Sequence, residues 1–172
     1  MGLSVAIAGG IVIFTIVYAM MSFPAILDDA TKVSMSSAQM SNTLNSILHT
    51  NISISTLADS HGSSPVSFSV INTGNTILWN YNNFDVIITY QAIGGATVTE
   101  PLQYSSSCIG LANGKWCITD ITNDLVHHGM LDPKETANIQ AQLSQSTNLG
   151  GTLTLNFGTD NGVVATDSVT IT

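Results

Sequence analysis

The chain is predicted to fold as an N-terminal transmembrane and stalk α-helix followed by an all-β immunoglobulin-like β-sandwich. Three observations predict this. No charged side chain occurs before Asp28, and the run from Leu3 to Leu27 is apolar or small. From Ile26 to Ile47, small and apolar residues recur at alternating spacings of four and three. Beyond that point, short alternating segments are separated by turn signals rich in Gly, Asn and Pro. The expected units are a transmembrane helix over 1–27, an amphipathic stalk helix over 28–49 and an extracellular β-domain over 50–172.

The opening run is long enough for an anchor, since roughly 20 helical residues cross a bilayer core. A cleaved secretory signal is not expected, because no Lys or Arg precedes the run and the run is too long. The short basic leader of pilin-type precursors is not seen either. Gly2 raises N-myristoylation, but Ala6 stands where Ser or Thr is preferred. Pro24 removes a backbone donor and disfavours helical geometry at Phe23, so a kink or short break is expected there. Asp28 and Asp29 would then suit the positive end of a second helical segment.

That second segment carries a heptad seam of Ile26, Ala30, Val33, Ser37, Met40, Leu44 and Ile47, with Ser37 its one polar member. The seam fits an amphipathic helix packed on its own β-domain. It also fits a helix that meets a partner, in a homodimer or a hetero-oligomer. The two segments together would be roughly 70 Å long at 1.5 Å per residue.

Residues 50–172 suffice for one domain with its own core. Three Lys, no Arg and eleven acidic residues give a net charge of -8. Nucleic-acid binding is therefore not expected, because phosphate contacts need clustered cations. Charged residues are only 8% of the chain, against a usual ~25%. Ser, Thr, Asn and Gly supply the polarity, a surface common outside cells. Asp28 and Asp29 outweigh Lys32 beyond the apolar run, which favours the N-terminus inside and the β-domain outside. Cys108 and Cys117 flank Gly110 and Asn113-Gly114, so a turn between two strands can bring their sulfurs together. Outside the cell such a bridge contributes about 2–3 kcal/mol; two free buried cysteines are the alternative. Asn51-Ile52-Ser53 is the one N-glycosylation sequon, at the hand-over from helix to strand.

The strands follow in order. Ile52 to Leu57 opens the domain, and Asp59 to Pro65 is a loop. Val66 to Val70 alternates strictly, with Val66, Phe68 and Val70 inward. Asn72 to Asn75 breaks the chain, and Ile77 to Trp79 restarts it as a short edge. Phe84, Val86, Ile88 and Tyr90 share one face of the next strand. Thr97 to Tyr104 and Lys115 to Ile121 lie on either side of the cysteine turn. Pro133 marks a turn over Leu131 to Glu135. Ala137 to Leu143 follows as a strand, although its alanines also suit a helix. Thr152 to Phe157 and Val163 to Thr172 close the sheet around Asp160-Asn161-Gly162, where Asn-Gly accepts positive φ at both corners. Seven to nine short strands with regular turn signals predict the sandwich.

No catalytic constellation emerges, so no enzyme is expected. His127 and His128 are adjacent, and neighbouring strand residues point to opposite faces. With no Cys or carboxylate at ligand spacing, zinc is not expected. Asp120 and Asp124 lack the ordered acidic loop and glycine turn of a calcium site. Neither Gly-x-Ser-x-Gly nor a phosphate-binding glycine loop occurs, and no cofactor is expected.

Three stretches together resemble the archaeal flagellar protein F family, part of the archaellum stator. They are the opening Met1-Gly2-Leu3-Ser4-Val5-Ala6-Ile7-Ala8, the juncture Ser22-Phe23-Pro24-Ala25 before an acidic, polar helix, and Val70 to Thr76 leading to Phe84-Asp85-Val86-Ile87. The resemblance covers roughly the first half of the chain. It implies a helix in the cytoplasmic membrane and a β-sandwich in the pseudo-periplasm, bound to S-layer protein and to a flagellar protein G-type stator partner. The chain departs from the family in its Ser/Asn/Gln-rich stalk and its cysteine hairpin. A filament subunit, an archaellin or adhesive pilin with its helix in the filament core, is the second reading. A membrane-anchored solute-binding or enzymatic domain is the third, and it lacks site residues.

Overall fold

The computed structural model describes residues 2–59 and 65–172, with the side chains of residues 2–6, 22, 23, 25 and 26 left aside. Residues 60–64 of the expected loop, and the side chain of the seam residue Ile26, therefore lie outside the described residues.

Helix α1 (Gly2–His49) runs without interruption, and Pro24 lies inside it. The short break expected at Pro24 is absent. One proline forfeits one backbone bond, and the turns on either side continue the helix. Asp28 and Asp29 consequently sit in mid-helix rather than at a second N-terminus. Asp28 forms an exposed i,i+4 pair with Lys32 at 2.6 Å, worth about 0.3–0.5 kcal/mol. The expected membrane span over 1–27 gains no support from the structure. Among the described residues, no helix is long and apolar enough to cross a membrane.

The chain divides into two compact units, Met1–Leu44 and Asn45–Thr172. The second contains eight strands: β1 (Ile52–Ala58), β2 (Val66–Asn72), β3 (Asp85–Gln91), β4 (Thr97–Tyr104), β5 (Lys115–Thr122), β6 (Thr136–Gln142), β7 (Thr152–Gly158) and β8 (Val164–Thr170). Their order is β1-β2-β6-β5 in one layer and β4-β3-β7-β8 in the other. All neighbours within a layer are antiparallel. This is the immunoglobulin order ABED over C′CFG. A two-residue parallel ladder, Gln103↔Lys115 and Tyr104↔Trp116, joins the layers along one side.

The strand periodicities explain the core. Val66, Phe68 and Val70 are buried, as are Val86, Ile88 and Tyr90, Ala137, Ile139 and Ala141, and Leu153, Leu155 and Phe157. Successive strand side chains alternate faces, so one inward set from each strand fills the space between the layers. Trp116 is fully buried at the centre, with ring contacts to Tyr104 (4.8 Å between centroids) and Phe157 (5.8 Å).

Three local expectations differ from the structure. β4 and β5 pair in parallel over two residues, so the cysteine turn closes no hairpin and Cys108 lies in the loop between them. Residues 77–79 form no strand; Leu78 makes a single bridge to Leu131, and a short 3-10 turn, Tyr81–Asn83, follows. The β7–β8 connection has positive φ only at Gly162, not at Asn161. The reason lies in the Asn161 side chain, whose amide donates to Thr50 Oγ1 (2.6 Å) and Ser46 Oγ (3.3 Å), drawing this turn toward the end of α1.

Candidate binding surface

The hand-over from helix to sandwich is built by the Asn72-Thr73-Gly74-Asn75 segment. Asn72 is fully buried, and its amide donates to the carbonyls of Thr76 (2.7 Å) and Leu131 (3.0 Å). Its Oδ1 accepts from the Gly74 amide at 3.1 Å. All its polar atoms are thus bonded, as burial requires. The amides of Thr73 and Gly74 donate to the Asn51 carbonyl, and that of Asn75 to the His49 carbonyl at 2.7 Å. A segment readable in the sequence only as a turn is therefore the seat of the last helical turn.

Asn51 is exposed beside this seat, with its side chain toward solvent and its backbone carbonyl held. Cys108, in the loop after β4, is joined to Cys117 in β5, with Cα atoms 5.5 Å apart. The bridge closes a nine-residue separation that presents Ile109 almost fully to solvent. On the helix, Ala30, Val33, Met40, Leu44 and Ile47 are all exposed. The structure thus spreads these residues over three places and does not gather them into one site.

A different region gathers side chains that sequence reasoning did not combine. The β4–β5 ladder ends after Tyr104 and Trp116, and β5 then carries a register shift between Ile118 and Asp120. Such bulges bend a strand and re-aim its side chains. A cavity of about 230 Å³ opens there, lined by Tyr81, Tyr104, Ile118, Asp120, Ile121, Asp124 and Gly129. The two tyrosine rings lie 5.6 Å apart. The Tyr81 hydroxyl donates to the Leu78 carbonyl at 3.1 Å. Burial pushes the Tyr81 and Tyr104 hydroxyls above the usual phenol range, so both stay protonated at neutral pH. Asp124 Oδ2 accepts from the Gly129 amide, and Asp120 Oδ2 accepts from the Asn138 amide.

His127 and His128 pair with carboxylates rather than with each other, at 3.0 Å to Asp132 and 3.5 Å to Asp124. Among the described residues, no group of three or more His, Cys, Asp or Glu is arranged to hold a metal. The arrangement offers aromatic faces, carboxylates and exposed apolar side chains, which suit binding.

No protein-family model matches the chain, and no curated protein matches it. Solved structures do. The chain is similar to the archaellum periplasmic stator protein FlaG of Sulfolobus acidocaldarius, at 21% identity and TM-score 0.52, over 70% of this chain and 99% of that one. It is similar to a chain of the FlaF–FlaG periplasmic stator complex of the same organism, at 19% identity and TM-score 0.51, over 69% and 87%. It is also similar to the archaeal flagellum of Methanospirillum hungatei strain JF1, at 15% identity and TM-score 0.58, over 100% and 94%. The shared property is the fold. The first two likenesses extend over about the length of a sandwich, and the third over the whole chain.

Proposed function

We propose that this chain is a non-enzymatic archaellum component, a stator-type subunit attached at the cell envelope through its helix, with its sandwich outside the cytoplasmic membrane. The observation that carries this reading is the combination of a complete sandwich, similar to those of periplasmic stator proteins, with a long helix whose seam is exposed. The polar, Ser/Asn/Gln-rich composition beyond Asp28 supports it, because that face and the Asp28–Lys32 pair suit a solvated stalk better than a dry bundle. The partners in this reading are S-layer protein, met by the sandwich, and a flagellar protein G-type subunit. The seam makes a homodimer or hetero-oligomer. Shearing filaments from native cells tests the proposal: the chain should stay with the envelope and sediment with S-layer protein. Recovery in the sheared filaments would overturn it.

One observation favours a second reading, a filament subunit. The likeness to the Methanospirillum hungatei flagellum spans helix and sandwich together. The described apolar side chains between Ile7 and Met21 are exposed in the single chain, as filament-core residues would be before assembly.

A further inference from the structure

We infer that the cavity beside the β4–β5 ladder is a docking pocket for an arginine or lysine side chain of a partner protein. The flanking exposed residues Trp79, Leu125, Val126 and Met130 would receive that partner's apolar neighbours. The inference does not depend on whether the chain serves in a stator or a filament.

The chemistry of the lining selects a cation. Asp124 uses Oδ2 for the Gly129 amide at 2.9 Å. Its Oδ1 makes no hydrogen bond and faces His128 Nδ1 at 3.5 Å, and the Asp124 side chain is 23% exposed. A carboxylate oxygen without a hydrogen bond leaves an acceptor position open to an incoming donor. Asp120 adds a second carboxylate, held by Asn138 at 3.0 Å. The Tyr81 donor is already spent on Leu78. The cavity therefore offers acceptors and aromatic faces, which match a guanidinium or ammonium group on an aliphatic stem. Ile118 and Ile121 supply apolar wall for the stem.

The rim continues this surface. Leu78 and Leu131 exchange backbone bonds at 2.7 and 3.1 Å, which sets Trp79 opposite Met130. Trp79 is 61% exposed, Leu125 81% and Val126 73%. Leu125 follows Asp124 and Met130 follows Gly129 in the chain, so these exposed apolar residues adjoin in sequence two of the residues that line the cavity. An exposed tryptophan and aliphatic side chains near a partly shielded carboxylate suit an interface in which one anchored cation is ringed by apolar contacts.

Charge identifies the occupant as a different protein. This chain has three Lys, no Arg and a net charge of -8, so a second copy repels and brings few cations. The complementary partner is a basic segment with apolar residues beside its cation.

The test uses the full chain and two fluorescent peptides, acetyl-Leu-Arg-Leu-amide and its citrulline counterpart, which has the same shape without the charge. At low salt the arginine peptide should bind at least tenfold more tightly. Asp120→Asn and Asp124→Asn should each erase most of that preference, and Trp79→Ser should weaken both peptides alike. Because Asp124 also holds the Gly129 amide, Asp120→Asn guards against a merely disordered loop. Equal binding of the two peptides, or a preference untouched by both Asp variants, overturns the inference. So does self-association of the chain that Trp79→Ser abolishes, which would make the patch a contact between copies.

Discussion

Gly74 stands where no side chain fits. A Cβ there would collide with the Asn51 amide nitrogen and lie 2.6 Å from the His49 carbonyl oxygen. Both atoms belong to backbone, which cannot swing aside. Gly74→Ala should therefore destabilise the β-domain by roughly 1–3 kcal/mol, read as a lower urea midpoint. Two buried tyrosines, Tyr81 and Tyr90, and the half-buried Tyr104 give a second expectation. Burial raises the hydroxyl pKa of Tyr81, Tyr90 and Tyr104 above the ordinary phenol value of about 10. The folded state holds these protons longer than the unfolded state does. Stability from this source is thus fully present below about pH 10 and is lost as pH rises beyond it. Thermal melts between pH 8 and 11 should stay flat at first and then fall. Tyr81→Phe should flatten the alkaline limb.

At the level of elements, the strands were legible because their inward residues alternate. Val86, Ile88 and Tyr90, and again Leu153, Leu155 and Phe157, mark both the existence and the face of β3 and β7. Less legible was whatever depends on residues far apart in the chain. Leu78 is tied to Leu131, so residues 77–79 never become an edge strand. Asn161 bonds to Ser46 and Thr50, so its turn takes a form that Asn-Gly alone does not specify. The acidic and aromatic cavity was illegible for the same reason. Tyr81, Tyr104 and Asp124 meet only because the β4–β5 ladder is two residues long. The cysteine loop yields a test at this scale. Cys108→Ser with Cys117→Ser should cost about 2–3 kcal/mol by the loop-closure account, and proteolysis should then cut near Ile109. If stability is unchanged, the bridge does not constrain the unfolded chain as argued.

The whole molecule combines a charge-poor helix with an exposed seam and a sandwich whose 72–75 segment holds the backbone of His49 and Asn51. Apolar side chains left in water on a long helix favour association, since each buried methylene contributes about 0.8 kcal/mol. Met40→Asp with Leu44→Asp should leave the sandwich folded and separate the assembled subunits in sizing experiments. An unchanged oligomer would remove the seam from the account. The most direct measurement of the central claim is cross-linking at Met40→Cys in native cells. A stator-type subunit predicts one discrete cross-linked species in the envelope fraction, either a dimer or a complex with one partner. A ladder of ever-larger self-multimers in sheared filaments would contradict the account and assign the helix to a filament core.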